Sequence, residues 1–297
     1  MLILMCDSFD ATLPEKLSRF GEVTKDMERL PEAHVALIRS KTTADKAFID
    51  KCKNLKLIIR GGVGLDNVDR AHAESKGVIV KNTPEASSIA VAELAFAMMT
   101  SASSRIVEAH NSMVAGKWLK KELTRTELFG KTLGLYGLGR IAREVAKRAL
   151  VFGMDVVAFD PYLPDDVFAS TGVRRAATRE ELFAQAQYLS LHTPLTDETR
   201  GMLNKKTLSE MKKGVVIVNT CRGKVIVEED MKAALDEGQV GAYCTDVWYN
   251  DPPQNSPLLQ STKCLFSPHI GASTKENLLR IGEQIEQIVG LLAQNKL

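Results

Sequence analysis

Cysteine is scarce and unpatterned in these 297 residues: Cys6, Cys52, Cys221, Cys244 and Cys264 are five, an odd number, with no C-x-x-C pair. That argues against both a disulfide framework and a zinc site, and no metal is expected. An excess of one charge is lacking as well. With 39 Lys and Arg against 37 Asp and Glu the net charge is +2, so nothing electrostatic points to nucleic acid or to an anionic membrane. Long hydrophobic runs are missing: MLILMC offers only five or six apolar residues before Asp7, too few for a signal-peptide core and far below a membrane span. The expectation is a soluble, unexported chain in a reducing cytoplasm. Internal repeats and low-complexity stretches are absent too, and the ten prolines cluster only at 252, 253 and 257.

What is present is the ordinary globular balance of 44% apolar and 26% charged residues, with material for two packed cores. Short β-prone runs, LILM, VALI, LIIR, VIV, LGLYG, DVVAF, YLSLH and VVIVN, alternate with helical patterns. Such alternation predicts parallel sheets with crossover helices. IAVAELAFAMMTSASSRI at 89–106 reads as a buried helix at a domain junction, and the boundary between sheet systems is expected between 95 and 130. A last helix, from about Ser273 onward, is expected to pack back onto the first domain.

Gly137, Gly139 and Ala142 form G-x-G-x-x-A directly after an apolar strand and at the opening of a helix whose Ile141, Val145 and Ala149 share a face. The three small residues differ in what they allow. Gly137 permits the tight turn, Gly139 lets backbone approach a pyrophosphate, and Ala142 allows close packing of helix on strand. Asp160 ends the next strand, 23 residues beyond Gly137. A carboxylate there accepts both ribose hydroxyls and repels a 2′-phosphate, so NAD is expected rather than NADP.

Downstream, Arg222 follows the strand VVIVN, and Asp246, Asp251 and His269 lie near further strand ends. Hydride transfer to a ketone needs a proton donor, a cation that polarises the carbonyl, and a carboxylate that keeps the donor charged. His269, Arg222 and Asp251 supply those three. His192, in LSLHTPLT, is expected to line the cofactor cleft, while His34, His72 and His110 read as satisfied or solvent-facing.

GLGRIA with Asp160, HTPLT at 192–196, NTCRG at 219–223 and SPHIGAST at 267–274 occur in one order along essentially the whole chain, which resembles the D-2-hydroxyacid dehydrogenase family. RGGVGLDNVD at 60–69, NTPEASSIAVAEL at 82–94, GKW at 116–118 and TELFGKTLGLYGLGRIAREVA resemble its phosphoglycerate dehydrogenase branch. The resemblance implies two Rossmann-like, doubly wound α/β domains, the substrate domain discontinuous: 1–98 with 275–297, and an NAD-binding domain at 99–274. It implies a homodimer built through the nucleotide domains. It also implies that Arg222 and His269 are catalytic, that Gly62, Val63 and Gly64 bind the substrate carboxylate, and that Ser87, where relatives carry Asn, lies at the substrate. Cofactor contacts would come from Arg140 and Ile141, Asp160, His192, Thr193 and Pro194, Cys221, Asp246 near the carboxamide, and Gly271. Asp251 stands where the family places Glu, 29 residues after the arginine.

The implied reaction is NAD-dependent oxidation of a phosphorylated 2-hydroxy acid, 3-phospho-D-glycerate, the first step of serine biosynthesis. Arg60, at the end of LIIR, would hold the phosphate by its planar fork. Since the sequence stops after the helix of the split domain, a C-terminal regulatory domain is not expected. Two alternatives stay open: a sister enzyme acting on glyoxylate or hydroxypyruvate, and an NAD-sensing, corepressor-like binding protein.

Overall fold

Strands that are apolar at every position must be covered on both faces, as parallel sheets are. The computed structural model describes residues 1–297 and buries these runs in that way. From the N-terminus come β1 (Leu2–Met5), α1 (Leu13–Ser18), β2 (Glu22–Thr24), β3 (Val35–Ile38), α2 (Lys46–Lys51), β4 (Leu57–Arg60), α3 (Arg70–Ser75) and β5 (Ile79–Asn82). They form a parallel sheet in the order β2-β1-β3-β4-β5. Alternate residues take opposite faces. Ile3, Met5, Val35, Leu37, Leu57 and Ile59 belong to one core cluster, and Leu4, Ala36, Ile38 and Ile58 to another, closed by Phe48, Ile49 and Ala73 of α2 and α3.

Next come α4 (Ser88–Ser104) and α5 (Ile106–Val114). The apolar helix stops at Ser104, two residues short of the expected end, because Arg105 turns into the left-handed region at φ 53°. The chain continues with β6 (Thr132–Tyr136), α6 (Arg140–Val151), β7 (Asp155–Phe159), α7 (Asp165–Thr171), β8 (Arg174–Arg175), α8 (Arg179–Gln185), β9 (Tyr188–Leu191), α9 (Lys205–Ser209), β10 (Val215–Asn219), α10 (Glu228–Asp236), β11 (Val240–Thr245), β12 (Cys264–Phe266) and α11 (Lys275–Ala293). Its sheet is all parallel in the order β12-β11-β10-β9-β6-β7-β8. The strand sequence reverses between β6 and β9, as in a doubly wound nucleotide-binding sheet.

The structure divides into two units, Met1–Ala90 with Ala272–Leu297, and Val91–Gly271. The crossing falls at 90/91 rather than the expected 98/99, because Ala92, Ala95, Phe96, Met98 and Met99 of α4 pack with Leu133, Val145 and Val156. The return falls at 271/272 rather than 274/275, since the Gly271 N–H is bonded to Asp246 of the second unit. α11 starts at Thr274, whose hydroxyl accepts the Asn277 N–H at 3.1 Å, an N-cap worth ~1 kcal/mol. Its Ile281, Ile285 and Val289, at i, i+4 and i+8, are fully buried with Ile3, Leu13 and Leu17, each contributing ~1.5–3 kcal/mol before entropy is charged. No helix is long and apolar enough to cross a membrane.

Candidate active site

Ligands of doubly wound sheets bind at the strand ends beside the reversal point. In the second unit these ends are Tyr136 of β6 and Leu191 of β9, which pair in register. Gly137 follows with φ +91°, and a Cβ there would sit 2.6 Å from the His192 carbonyl oxygen, so only glycine fits. Gly139 differs. Its φ of −68° suits any residue, it is the N-cap of the 12-residue α6, and no side chain caps that helix. A Cβ there would meet nothing within 4 Å. The helix N–H groups therefore open onto space that a larger residue would partly fill, a cradle suited to a pyrophosphate. Arg140 is exposed and Ile141 half-buried at the start of this helix.

The Asp160 carboxylate accepts the Leu138 N–H at 2.9 Å and the Tyr162 N–H at 3.0 Å. It braces the glycine turn and retains lone pairs for ribose hydroxyls. His192 Nε2 lies 2.9 Å from Ser190 Oγ, and burial pushes its pKa down to about 3. The ring is neutral near neutral pH and cannot shuttle protons there. Thr193 is half-buried and Pro194 exposed beside it.

Arg222 is aimed by a turn that the fully buried Asn219 organises. Asn219 Oδ1 accepts the Cys221 N–H at 3.1 Å and its thiol at 3.2 Å, while Nδ2 donates to the Arg222 carbonyl at 3.0 Å and the Tyr243 hydroxyl at 3.1 Å. Arg222 Nη1 donates to the Cys221 carbonyl at 2.6 Å. A Cβ on Gly223 would overlap the Trp248 carbonyl, so this turn is pressed against the exit of β11. Cys221, expected to contact the cofactor, has a buried thiol whose pKa burial pushes up. Asn219 is not among the residues expected from the sequence, although one polar residue closing an apolar strand before Cys-Arg-Gly is its signal.

His269 follows β12 at φ 55°, a conformation that costs a non-glycine residue ~1–3 kcal/mol. What enforces it is Asp246, 1% exposed. Its carboxylate accepts the Ile270 N–H at 2.8 Å, the Gly271 N–H at 2.7 Å and the Ser267 hydroxyl. Asp246 and Gly271, both expected to meet the cofactor, are bonded to each other beneath the His269 loop. His269 Nδ1 is hydrogen-bonded to Asp251 Oδ2. The short aspartate thus reaches the imidazole directly, and both side chains keep part of their surface in solvent.

The first unit carries a different set. The Arg60 guanidinium lies over Gly62, at φ +142°, where a Cβ would overlap Nη1. The Gly62 N–H donates to Thr83 Oγ1 at 2.8 Å, and Asn82 Nδ2 donates to the Val63 carbonyl at 2.5 Å. Val63 is exposed and Gly64 half-buried. On the neighbouring strand, β3 ends just before Arg39, whose Cγ would lie 3.4 Å from a Cβ on Gly61. Burial pushes the Arg39 pKa down, and Asp7 opposes that shift. Ile38 pairs in register with Arg60, so Arg39 leaves the sheet on the opposite face from Arg60, where its Nη1 donates to the Ser8 carbonyl at 3.3 Å. Ser87, expected at the substrate, is 1% exposed with its Oγ buried and without a partner, and Arg280 Nε donates to the preceding Ala86 carbonyl at 2.9 Å.

Residues 96–271 match the family described as D-isomer specific 2-hydroxyacid dehydrogenase, NAD binding domain. D-3-phosphoglycerate dehydrogenase of Methanocaldococcus jannaschii is 40% identical over 99% of this chain, which spans 58% of that relative's length. Hydroxypyruvate reductase of Thermotoga maritima is 44% identical over 92% of this chain and 90% of its own. The crystal structure of D-lactate dehydrogenase from Aquifex aeolicus, complexed with NAD and lactic acid, superposes with a TM-score of 0.88 at 25% identity, covering 100% of this chain and 96% of that one. With a glycine cradle at a helix N-terminus, an arginine turn and a histidine–aspartate pair on the matched unit, the chain belongs to the D-isomer specific 2-hydroxyacid dehydrogenase family.

Proposed function

We propose that this dehydrogenase oxidises 3-phospho-D-glycerate to 3-phosphohydroxypyruvate with NAD, as in the first step of serine biosynthesis. The observation that carries the choice of substrate is Arg60, at the end of β4 with its guanidinium over Gly62 of the Gly62–Gly64 loop: its planar fork suits a phosphate held close to a bound carboxylate. The loop Gly62–Gly64 takes the carboxylate. Arg140, Ile141 and the α6 N-terminus would hold the pyrophosphate of NAD, and Asp160 its adenosine ribose. NAD supplies the hydride acceptor when bound. Arg222 polarises the carbinol oxygen and stabilises its developing negative charge. His269 Nε2 takes the hydroxyl proton while Asp251, bonded at Nδ1, fixes the tautomer and offsets the imidazolium charge.

A homodimer is part of the proposal. α5 and the segment after it expose Ile106, Met113, Val114, Trp118 and Phe129, more apolar surface than a monomer leaves bare without use. Sedimentation of the purified chain checks this, a monomer being the contrary result.

A second reading, reduction of hydroxypyruvate or glyoxylate, is favoured by the relative from Thermotoga maritima, which this chain covers almost end to end. Initial rates with 3-phosphoglycerate and NAD, set against hydroxypyruvate and glyoxylate with NADH, separate the two. In the first case Arg60→Ala should raise KM for 3-phosphoglycerate tenfold or more, a loss of ~1.5 kcal/mol or more, with unphosphorylated acids little affected. Equal losses on both substrate classes would make Arg60 structural. Any such turnover also excludes a purely NAD-sensing, corepressor-like protein.

A further inference from the structure

Beside the turn that carries Arg222 and the loop that carries Asp251 lies a cavity of about 490 Å³, lined by Arg200, Lys224 and Glu228 on one side and Tyr249, Pro253 and Ser256 on the other. The reaction proposed above makes no use of it. Its walls are nevertheless joined next to the reacting groups. Gly223 packs on the Trp248 carbonyl with no room for a Cβ. One residue further along each segment, the Lys224 ammonium sits 5.0 Å from the centroid of the Tyr249 ring. Lys224 is two residues after Arg222, and Tyr249 two before Asp251. At the loop's other end Ser256 is 6% exposed. The half-buried Glu228 faces it, its carboxyl pushed up by burial and drawn back by Ser256 and the Tyr249 N–H.

Aspartate has one methylene between backbone and carboxylate, so its oxygens follow the loop backbone with little torsional slack. Anything that fixes the 249–251 backbone against the 222–224 backbone therefore fixes two things together, the direction of Arg222 and the reach of Asp251 to His269. We propose that Lys224 is a positioning residue for the reaction: seated on the Tyr249 ring, its ammonium ties the Asp251 loop to the Arg222 turn and keeps the acid–base pair in register with the arginine. The proposal rests on the reading of Arg222, Asp251 and His269 as the acting groups. A cation over an aromatic face suits this bracing role, because it is held by charge and ring together, and a guanidinium places the same charge over the ring.

The test uses the full chain and whichever 2-hydroxy acid the wild type oxidises fastest. Lys224→Met and Tyr249→Leu should each lower kcat about tenfold with KM for NAD within twofold. Lys224→Arg and Tyr249→Phe, which keep the cation or the ring, should retain at least half of wild-type kcat, and the double variant Lys224→Met/Tyr249→Leu should be no slower than the slower single. A Lys224→Met enzyme within twofold of wild type, or single losses that multiply in the double variant, overturns the proposal. A second measurement needs no substrate. In protein labelled with ¹⁵N-histidine, the His269 Nδ1–H resonance should be lost or displaced in Lys224→Met, as in Asp251→Asn, and kept in Lys224→Arg. An unchanged resonance in Lys224→Met also overturns it. Should the wild type turn over no 2-hydroxy acid, the functional reading fails while the spectrum still decides whether the brace exists.

Discussion

His269 combines a left-handed backbone at φ 55° with a side chain tied to Asp251. Asparagine tolerates that backbone better than histidine does, so His269→Asn should leave thermal stability unchanged or raised while kcat falls a hundredfold or more. A melting temperature lowered by several degrees would show the imidazole to be structural. His192 predicts a pH dependence of stability. Its folded pKa is about 3 against 6.5 for the free group, so between those values the unfolded chain binds a proton that the folded chain refuses. Stability is therefore lost as pH falls through that window, by at most ~3 kcal/mol at pH 4. Urea midpoints from pH 7 to pH 4 should fall less steeply for His192→Gln than for wild type; parallel curves would show that His192 takes up its proton in the folded state. At this scale the sequence is legible for residue types and illegible for direction. That Asp246 lies at a strand end can be read from the chain, but not that its carboxylate accepts the backbone N–H groups of Ile270 and Gly271.

The turn between β6 and α6 separates two uses of glycine. Gly137, at φ +91° and 2.6 Å from a carbonyl oxygen in its Cβ direction, is required by the fold, whereas Gly139, with open space at its Cβ, is required by whatever fills that space. Gly137→Ala should therefore destabilise the protein by about 2 kcal/mol or more. Gly139→Ala should keep or slightly raise stability yet weaken NADH binding about tenfold, as read by quenching of protein fluorescence. Undiminished NADH affinity in Gly139→Ala would remove the pyrophosphate from this helix end. Central strands are legible because covering on both faces demands an unbroken apolar run. The edges are not. β8 is Arg174–Arg175, both exposed, and β2 is Glu22–Thr24, with no buried residue; an edge strand pairs on one side only and needs no such run. β11 is masked by Gly241, whose Cβ direction is closed 2.6 Å away by the Gly214 carbonyl oxygen.

The first unit draws its core from both chain ends, with Ile281, Ile285 and Val289 of α11 buried among β1, β3, β4 and α1. Ile285→Ala should cost ~2–4 kcal/mol, and the loss should be confined: hydrogen exchange should speed up in the strands of residues 1–90 and stay slow in β6, β9 and β10. Uniform acceleration in both units would show them to unfold as one. The same arrangement bears on how the protein is made. A ribosome releases β1 to β5 long before α11, and the apolar strip of Ile3, Met5, Val35, Leu37, Leu57 and Ile59 has only α1 to cover it meanwhile. The nucleotide-binding unit, contiguous from Val91 to Gly271, can finish folding while the N-terminal sheet waits. Order of synthesis and order of completion are thus inverted, and during that interval the nascent N-terminal sheet is the part of the molecule that a chaperone would find.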